Sequence, residues 1–489
     1  MRSVLRVGAA PALFLSLTLW ATLRVVGVTG GAFVYPLDDP YIHLAVAENL
    51  TQGHYGLNLA EPSSPASSVV WPWLLALGLA VGAGGWLALA LNVGIGVWTL
   101  EVARRLGDAV FGTAAASNAG LGVALGAVLV LNVPALALIG MEHVLQVGLT
   151  LVTWLGLVAV ARGAAPRWPL VLALTLGPLV RYENLALTLT ACAYLAAFGH
   201  RRAALAALGG AVGGLGAFSG FLAALGLPLL PTSVLAKTST DGTPTLLANL
   251  ALPTGWFLVL LVATVAAALA LVARQGAPRG NAAQSDAARH TLGLGTVALT
   301  TAAAHLVAGR LGWFARYEIY VVAGLFAALL VALRFLRAQE VPRWLQVVFA
   351  LALVLAAGAL TVRHAALVAF APDASRDVFE QHVQMHRFVE DYWRAPVAVN
   401  DIGRVAFEND HFVLDLWGLA SVEALERAGA PDPNWMERLA TRHGVEVAML
   451  YAPSFAALPV SWVQVAELRL SQPPSVVPHG TVTFFARTP

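Results

Sequence analysis

The sequence predicts an α-helical polytopic membrane protein of about eleven transmembrane helices, with a small C-terminal α/β domain outside the membrane. Three observations carry this. Hydrophobic residues make up 58% of the chain and charged residues 11%, against about 25% charged in a soluble domain. Many windows exceed the roughly 18 apolar residues that mark a membrane-crossing helix. From about Pro372 onward charges become frequent and apolar runs shorten. The single cysteine, Cys192, lies in an apolar segment, which excludes a disulfide framework and a Cys-rich metal site. A net charge of +2 selects no class of partner, so the placement of the charges matters more than their sum.

Arg2 and Arg6 precede an apolar run from Gly8 to Val28. It is long, and many others follow, so it reads as a retained span rather than a signal peptide. With Arg and Lys as markers of cytoplasmic loops, the N-terminus is inside and the run exits near Thr29. Residues 29–68 contain no Arg or Lys but carry Asp38, Asp39, Glu48 and Glu61, as an outer loop would. Pro40 to Leu50 reads as a short amphipathic helix in that loop. The stretch 69–83, with Trp71-Pro72-Trp73 and an interruption at Gly82, Gly84 and Gly85, is expected to lie in the outer interface. Counting it as a span would break the charge alternation downstream. The first outer loop with its interfacial helices is therefore 29–85.

Spans follow at 86–103, 114–133, 144–161 and 168–180. The chain returns from Arg181-Tyr182-Glu183-Asn184 to His200, then spans again at 203–225, 251–273, 291–308, 319–336 and 344–369. Arg104-Arg105, Arg162 and Arg167, Arg201-Arg202, Arg274 with Arg279 and Arg289, and Arg334 with Arg337 and Arg343 fall at one set of ends. Gly140-Met141-Glu142-His143, Arg181 to Asn184, Pro231 to Lys237 and Gly309 to Glu318 fall at the other. The expected location is the inner (plasma) membrane, multi-pass, with a cytoplasmic N-terminus and an extracytoplasmic tail. Residues 1–371 form the transmembrane module and 372–489 the outer domain. Within the tail, Asp377 to Trp393, Glu423 to Ala428 and Trp435 to His443 read as helices. Val397 to Val399, Phe412 to Leu414 and Val445 to Leu450 read as strands.

Every unusual polar cluster thus lands on the outer side. Asp38 and Asp39 are adjacent carboxylates. Their repulsion raises the pKa of one and suits a general base; the pair also suits a divalent cation held through oxygen. Asp39 before Pro40 has an ordinary alternative, the N-cap of a helix with proline at its first position. His43 lies one turn on from Asp39 and can touch it, or is a plain interfacial histidine. Ser63 to Ser68 suits a polar pocket wall or a surface loop. Glu142 and His143 sit at a span's end, as a site group or an interfacial pair. Arg181 and Glu183 interrupt apolar sequence with almost no loop around them. Such groups usually line a cavity; a structural ion pair is the alternative. Lys237, the only lysine, with Arg310 and Arg316, puts cations on the outer side against the general bias. They suit a lipid-linked phosphate or ordinary anionic headgroups. Asp401 and Asp415 read first as turn residues at strand ends and second as ligand contacts.

Taken together, the chain resembles the bacterial GT-C-type membrane glycosyltransferases, which use polyprenyl-phosphate-linked sugars. The resemblance runs over nearly the whole chain. It rests on Asp38-Asp39-Pro40-Tyr41-Ile42, Asn49-Leu50, Gly53 to Asn58, Ser63-Ser64-Pro65, Trp71 to Leu75, Gly140-Met141-Glu142, Arg181-Tyr182-Glu183, Ser233 to Lys237 and Arg316-Tyr317. In the tail it rests on Asn400 to Gly403 and Asp415 to Leu419. It implies a GT-C-like fold and sugar transfer from a polyprenyl-phosphate donor to an extracytoplasmic acceptor, whether envelope glycan, lipid or protein. Asp38 would be the base, with Asp39 beside it. Asp39, His43 and Glu142 would orient the acceptor or a metal. Arg181, Lys237 and Arg316 would stabilise the leaving phosphate, and Glu183 and Tyr317 would complete the substrate contacts. A divalent cation is possible and not obligatory, because a lipid phosphate already leaves well. Rival functions are a polytopic transporter or lipid-linked-sugar flippase and a non-catalytic envelope assembly protein. A transporter needs polar groups near mid-membrane on broken helices, whereas these gather at helix ends.

Overall fold

A computed structural model describes residues 2–112, 116–238, 245–275, 282–339, 341–427 and 433–487. Arg279, and the side chains of Arg2, Arg6 and Lys237, lie outside the described residues.

Among the described residues, 8 helices are long and apolar enough to cross a membrane. They are Gly8–Val28, Leu87–Phe111, His143–Ala161, Arg201–Ala224, Pro253–Gln275, Ala282–Ala308, Ile319–Arg337 and the helix beginning at Arg343. Three shorter apolar helices, Asn118–Val130, Trp168–Val180 and Asn184–Ala197, fill the remaining stretches read as spans. Ile319–Arg337 is the central one, with 83% of its apolar window enclosed by neighbours. Trp71–Leu79 has nine residues. At 1.5 Å per residue it is about 14 Å long, under half of the roughly 30 Å hydrocarbon layer, so it does not cross.

The last helix differs from expectation. It runs unbroken from Arg343 through Pro372 to Val378 and continues in π-helical turns at Phe379–Val383 and Phe388–Trp393. The separate helix expected over Asp377 to Trp393 is therefore the end of this rod. Ala371, Ala374 and Val378 are buried here, and that packing holds the helix through the proline. At 51 residues the rod is about 77 Å long, more than twice the hydrocarbon thickness, so its last turns stand beyond the membrane.

Five strands then form one sheet in the order β2-β1-β3-β5-β4: β1 Val397–Val399, β2 Val413–Asp415, β3 Val447–Leu450, β4 Trp462–Arg469 and β5 Thr481–Arg487. β1 pairs in parallel with β2 and β3, while β5 runs antiparallel to β3 and β4. The parallel strands are fully buried and near-continuously apolar, which made them legible. β4 is an edge strand exposed on both faces and has no such pattern.

The first loop docks this domain. Asn58 donates to the Val413 carbonyl at 3.0 Å and accepts from the Val413 N–H at 2.8 Å. It stands in for a neighbouring strand on the free edge of β2. The Glu48 carboxylate accepts from the Glu408 N–H at 2.9 Å.

Candidate active site

The acidic pair sits where the first loop turns into the helix Asp39–Thr51. Pro40 fixes that start, but the residue at the cap is Asp38, whose side chain makes no capping bond, and Asp39 is already the first helical residue. The expected capping role of Asp39 is therefore corrected. The Asp38 carboxylate instead accepts the backbone N–H groups of Gly403 at 2.6 Å and Arg404 at 2.8 Å. It occupies the start of the tail helix Gly403–Ala406. A Cβ at position 403 would come within 2.2 Å of the Asp38 carbonyl, so the close approach requires glycine.

A third group closes on Asp38. His382 Nδ1 is 3.2 Å from Asp38 Oδ1, and its Nε2 is 3.4 Å from Asp401 Oδ2. Burial alone would lower its pKa, but the two carboxylates outweigh burial and push it up to about 10. Its Nε2 also lies 3.1 Å from the Tyr451 hydroxyl, which donates to Gln381 at 2.6 Å. His382 lies in the first π-helical stretch, an irregularity common at functional sites.

Asp39 points elsewhere. It accepts from Arg316 Nη2 at 2.6 Å, and its side chain is 38% exposed against 11% for Asp38. Arg316 also donates to the Tyr317 hydroxyl at 2.9 Å and the Met141 sulfur at 2.7 Å. The turn Gly312-Trp313-Phe314-Ala315 aims Arg316 at this spot. All four residues have positive φ, from 47° to 98°. Each non-glycine residue there costs roughly 1–2 kcal/mol. The turn is held by Asn132, which donates to the Phe314 carbonyl at 2.6 Å, and by Glu318, which accepts from the Gly312 N–H at 3.0 Å.

Arg181 and Glu183 form the turn between Trp168–Val180 and Asn184–Ala197. These helices have 13 and 14 residues and are about 20 Å long, some 10 Å short of a full crossing. Their apex is thereby sunk below the membrane surface. Arg181 forks onto Glu183 at 2.6 and 3.1 Å and reaches Glu142 at 3.0 Å. Glu142 is fully buried, accepts from Ser67 at 3.2 Å and lies 3.5 Å from His43 Nε2. Gly140 makes this possible: it has φ 67°, and a Cβ there would meet the Tyr35 ring at 2.4 Å. Arg181 and Arg316 both lie over the Tyr317 ring, at 5.6 and 4.9 Å from its centroid. One polar chain therefore runs from Asp39 through Arg316, Tyr317 and Arg181 to Glu142 and His43.

Two cavities meet along this chain. A cavity of about 390 Å³ is lined by Asp38, Asp39, Arg316 and Tyr317 from the membrane module and by His382, Asn400, Asp401, Trp417 and Tyr451 from the tail. Asn400, Asp401, Trp417 and Tyr451 follow the carboxyl ends of β1, β2 and β3, where parallel sheets place their ligand-facing groups. A second cavity of about 430 Å³ is lined by Arg181, Glu183, Tyr317, His305, Tyr320 and Ser67 together with Leu185, Leu189, Val234 and Ala304. Arg310 and Tyr317 line both.

Of the expected site residues, Asp38, Asp39, Arg316, Tyr317, Arg181 and Glu183 thus line cavities. His43 and Glu142 line neither of these two; they are buried behind Ser67 and Arg181, with Glu142 on Arg181 and His43 beside Glu142. The side chain of Lys237 is not described, and its neighbour Ala236 lines the first cavity. His382 and Tyr451 were not singled out by sequence; Asn400 entered only within the stretch Asn400 to Gly403 that carries the resemblance.

A divalent cation takes about six oxygen ligands. Asp38 is committed to two N–H groups and His382, and Asp39 to Arg316. Among the described residues no group of three or more His, Cys, Asp or Glu is placed to hold a metal. As arranged, the donor set does not fit a resident cation.

Residues 375–485 match a family described as a domain of unknown function (DUF8728). No curated protein is matched by sequence. Solved structures similar to this chain include the oligosaccharyltransferase of Archaeoglobus fulgidus in its apo form. That likeness has 13% identity, covers 89% of this chain and 69% of that one, and has a TM-score of 0.45. The same enzyme in complex with Zn and sulfate gives 14% identity, 89% and 67% coverage and a TM-score of 0.46. The archaeal oligosaccharyltransferase AglB from that organism, in complex with an inhibitory peptide and a dolichol-phosphate, gives 13% identity, 97% and 74% coverage and a TM-score of 0.48. At these identities no residue role transfers to this chain.

Proposed function

We propose that this protein is a bacterial membrane glycosyltransferase that moves a sugar from a polyprenyl-phosphate donor to an extracytoplasmic envelope acceptor, a glycan, lipid or protein. The observation that supports this is the pair of cavities sharing Arg310 and Tyr317. One holds carboxylates and hydroxyl-binding groups beneath the tail. The other joins an arginine to an apolar wall, as a phosphate with a hydrocarbon chain requires.

The reaction is a direct displacement. The acceptor hydroxyl gives its proton to a carboxylate, and its oxygen attacks the anomeric carbon. The bond to the lipid phosphate breaks, and its electron pair leaves on the phosphate. Arg316, Arg310 and Arg181 offset the charge that gathers there. The sequence favours Asp38 as the base; the geometry favours Asp39. The Asp38 oxygens are already occupied by two N–H groups and His382, whereas Asp39 is the more open to the cavity. No step is routed through a metal.

The test uses purified protein with a polyprenyl-phosphate sugar and an acceptor panel. Asp39→Asn is expected to lose about 10²–10⁴-fold in transfer while retaining donor binding. Asp38→Asn is expected to lose thermal stability along with activity. Full transfer by both variants would sink the reading.

A further inference from the structure

The arginine-rich end of the bundle, opposite the acidic pair, carries a separate cleft of about 380 Å³. Three helices finish there, Leu87–Phe111, His143–Ala161 and Ile319–Arg337, and Ala282–Ala308 begins there. The polar groups lining it are Arg162, Arg334, His290, Thr291, Gln284 and Gln339, over an apolar floor that includes Val158 and Phe335. The cleft's His290 Nε2 lies 3.8 Å from the largely exposed Asp286 carboxylate. Neither Arg162 nor Arg334 makes an ion pair with a carboxylate among the described residues. Arg104 and Arg105, at the same end, are neutralised by Glu101 and Asp108 on their own helix at 2.5–2.8 Å. Arg162 caps the end of its neighbour by donating to the Val110 carbonyl at 2.7 Å. Burial and the nearby charge of Arg334 both press its pKa down, as expected for like charges facing one another across a gap. His290 is committed to the Tyr194 hydroxyl at 2.7 Å, and Gln284 donates to Gln339.

We propose that this cleft is a phosphate site. A phosphodiester or phosphate monoester is held between the Arg162 and Arg334 guanidinium groups, whose planar forks match its oxygens, while the apolar floor takes any attached chain. Basic pockets between membrane helices recognise anionic headgroups in this way. The ligand is either the headgroup of an anionic lipid or a soluble phosphate.

The experiment measures thermal stabilisation of the purified full-length protein in detergent against increasing ligand. The arms are short-chain phosphatidylglycerol, phosphatidylcholine of the same chain length, and inorganic phosphate. Wild-type protein is expected to be stabilised by phosphatidylglycerol and not by phosphatidylcholine. Arg334→Gln should weaken that response at least about tenfold in half-saturating concentration, a change of about 1.4 kcal/mol. Arg289→Gln removes a nearby arginine that does not line the cleft, and it should leave the response unchanged. An equal response to inorganic phosphate assigns the site to a soluble ligand; its absence assigns the site to lipid. Both outcomes support the proposal. Arg162→Gln loses a helix cap and is expected to fold poorly, so Arg334→Gln and Arg334→Lys decide. Stabilisation untouched by Arg334→Gln, or weakened equally by Arg289→Gln, overturns it, and neither result bears on the sugar-transfer reading.

Discussion

A single histidine decides how the acidic pair divides its work. His382 is 3% exposed and lies between Asp38 and Asp401. Its folded pKa is raised to about 10, above the ordinary 6.5. For a raised pKa the stabilisation is fully present below the unfolded value and is lost as pH rises through the folded one. The thermal midpoint of the purified protein is therefore expected to fall between about pH 6.5 and pH 10. His382→Gln should flatten that slope. At neutral pH His382→Ala should cost about 1–3 kcal/mol, because two partly exposed carboxylates, 11% and 32% accessible, lose their buried counter-charge. A pH profile identical in wild type and His382→Gln would refute this assignment. No local pattern pointed to His382. It lies in a helix 344 positions after Asp38, and its partners are known only once the tail has folded back on the first loop. Asp38 and Asp39, adjacent and next to a proline, were visible at once, but their partners were not. N-capping is a local rule, and here remote groups hold both carboxylates, the Gly403 and Arg404 backbone that of Asp38 and the Arg316 guanidinium that of Asp39.

At the scale of elements, the spans were legible because apolar length is a property of the sequence alone. The left-handed turn at Gly312 to Ala315 was not: only Gly312 announces a positive φ, and Trp313, Phe314 and Ala315 follow it against their own preference. The hydrogen bonds from Asn132 and to Glu318, far away in sequence or past the turn, hold it. The turn stores strain directly before the arginine that meets Asp39. Ala315→Gly should relieve part of that strain, raising stability by about 0.5–1 kcal/mol after the added backbone entropy of glycine is counted. Chemical denaturation in detergent measures the change. If Ala315→Gly instead destabilises by a similar amount, the turn is not strained at that residue. The docking of β2 by Asn58 belongs to the same class: the residue looks like a turn former, and only the sheet edge gives it a second role.

For the whole molecule, the argument turns on sidedness. The first loop, the Arg181–Glu183 apex, the Arg316 turn and the tail meet at one end of the bundle. The unneutralised arginines of the second cleft meet at the other. Excess Arg faces the cytoplasm as a rule, so the candidate active site should face away from it. This can be read directly because the chain has a single cysteine, Cys192, which is buried and gives a quiet background to thiol labelling. Val460 is 99% exposed on the tail, and Val460→Cys places a thiol there without disturbing packing. In intact cells or right-side-out vesicles a membrane-impermeant maleimide should label Val460→Cys and leave the parent chain unlabelled. A cysteine at Arg201, an exposed position at the opposite end, should react only after the membrane is opened. Labelling with the opposite preference would invert the protein. It would place the carboxylates and the cavities on the cytoplasmic side, where an extracytoplasmic acceptor cannot reach them.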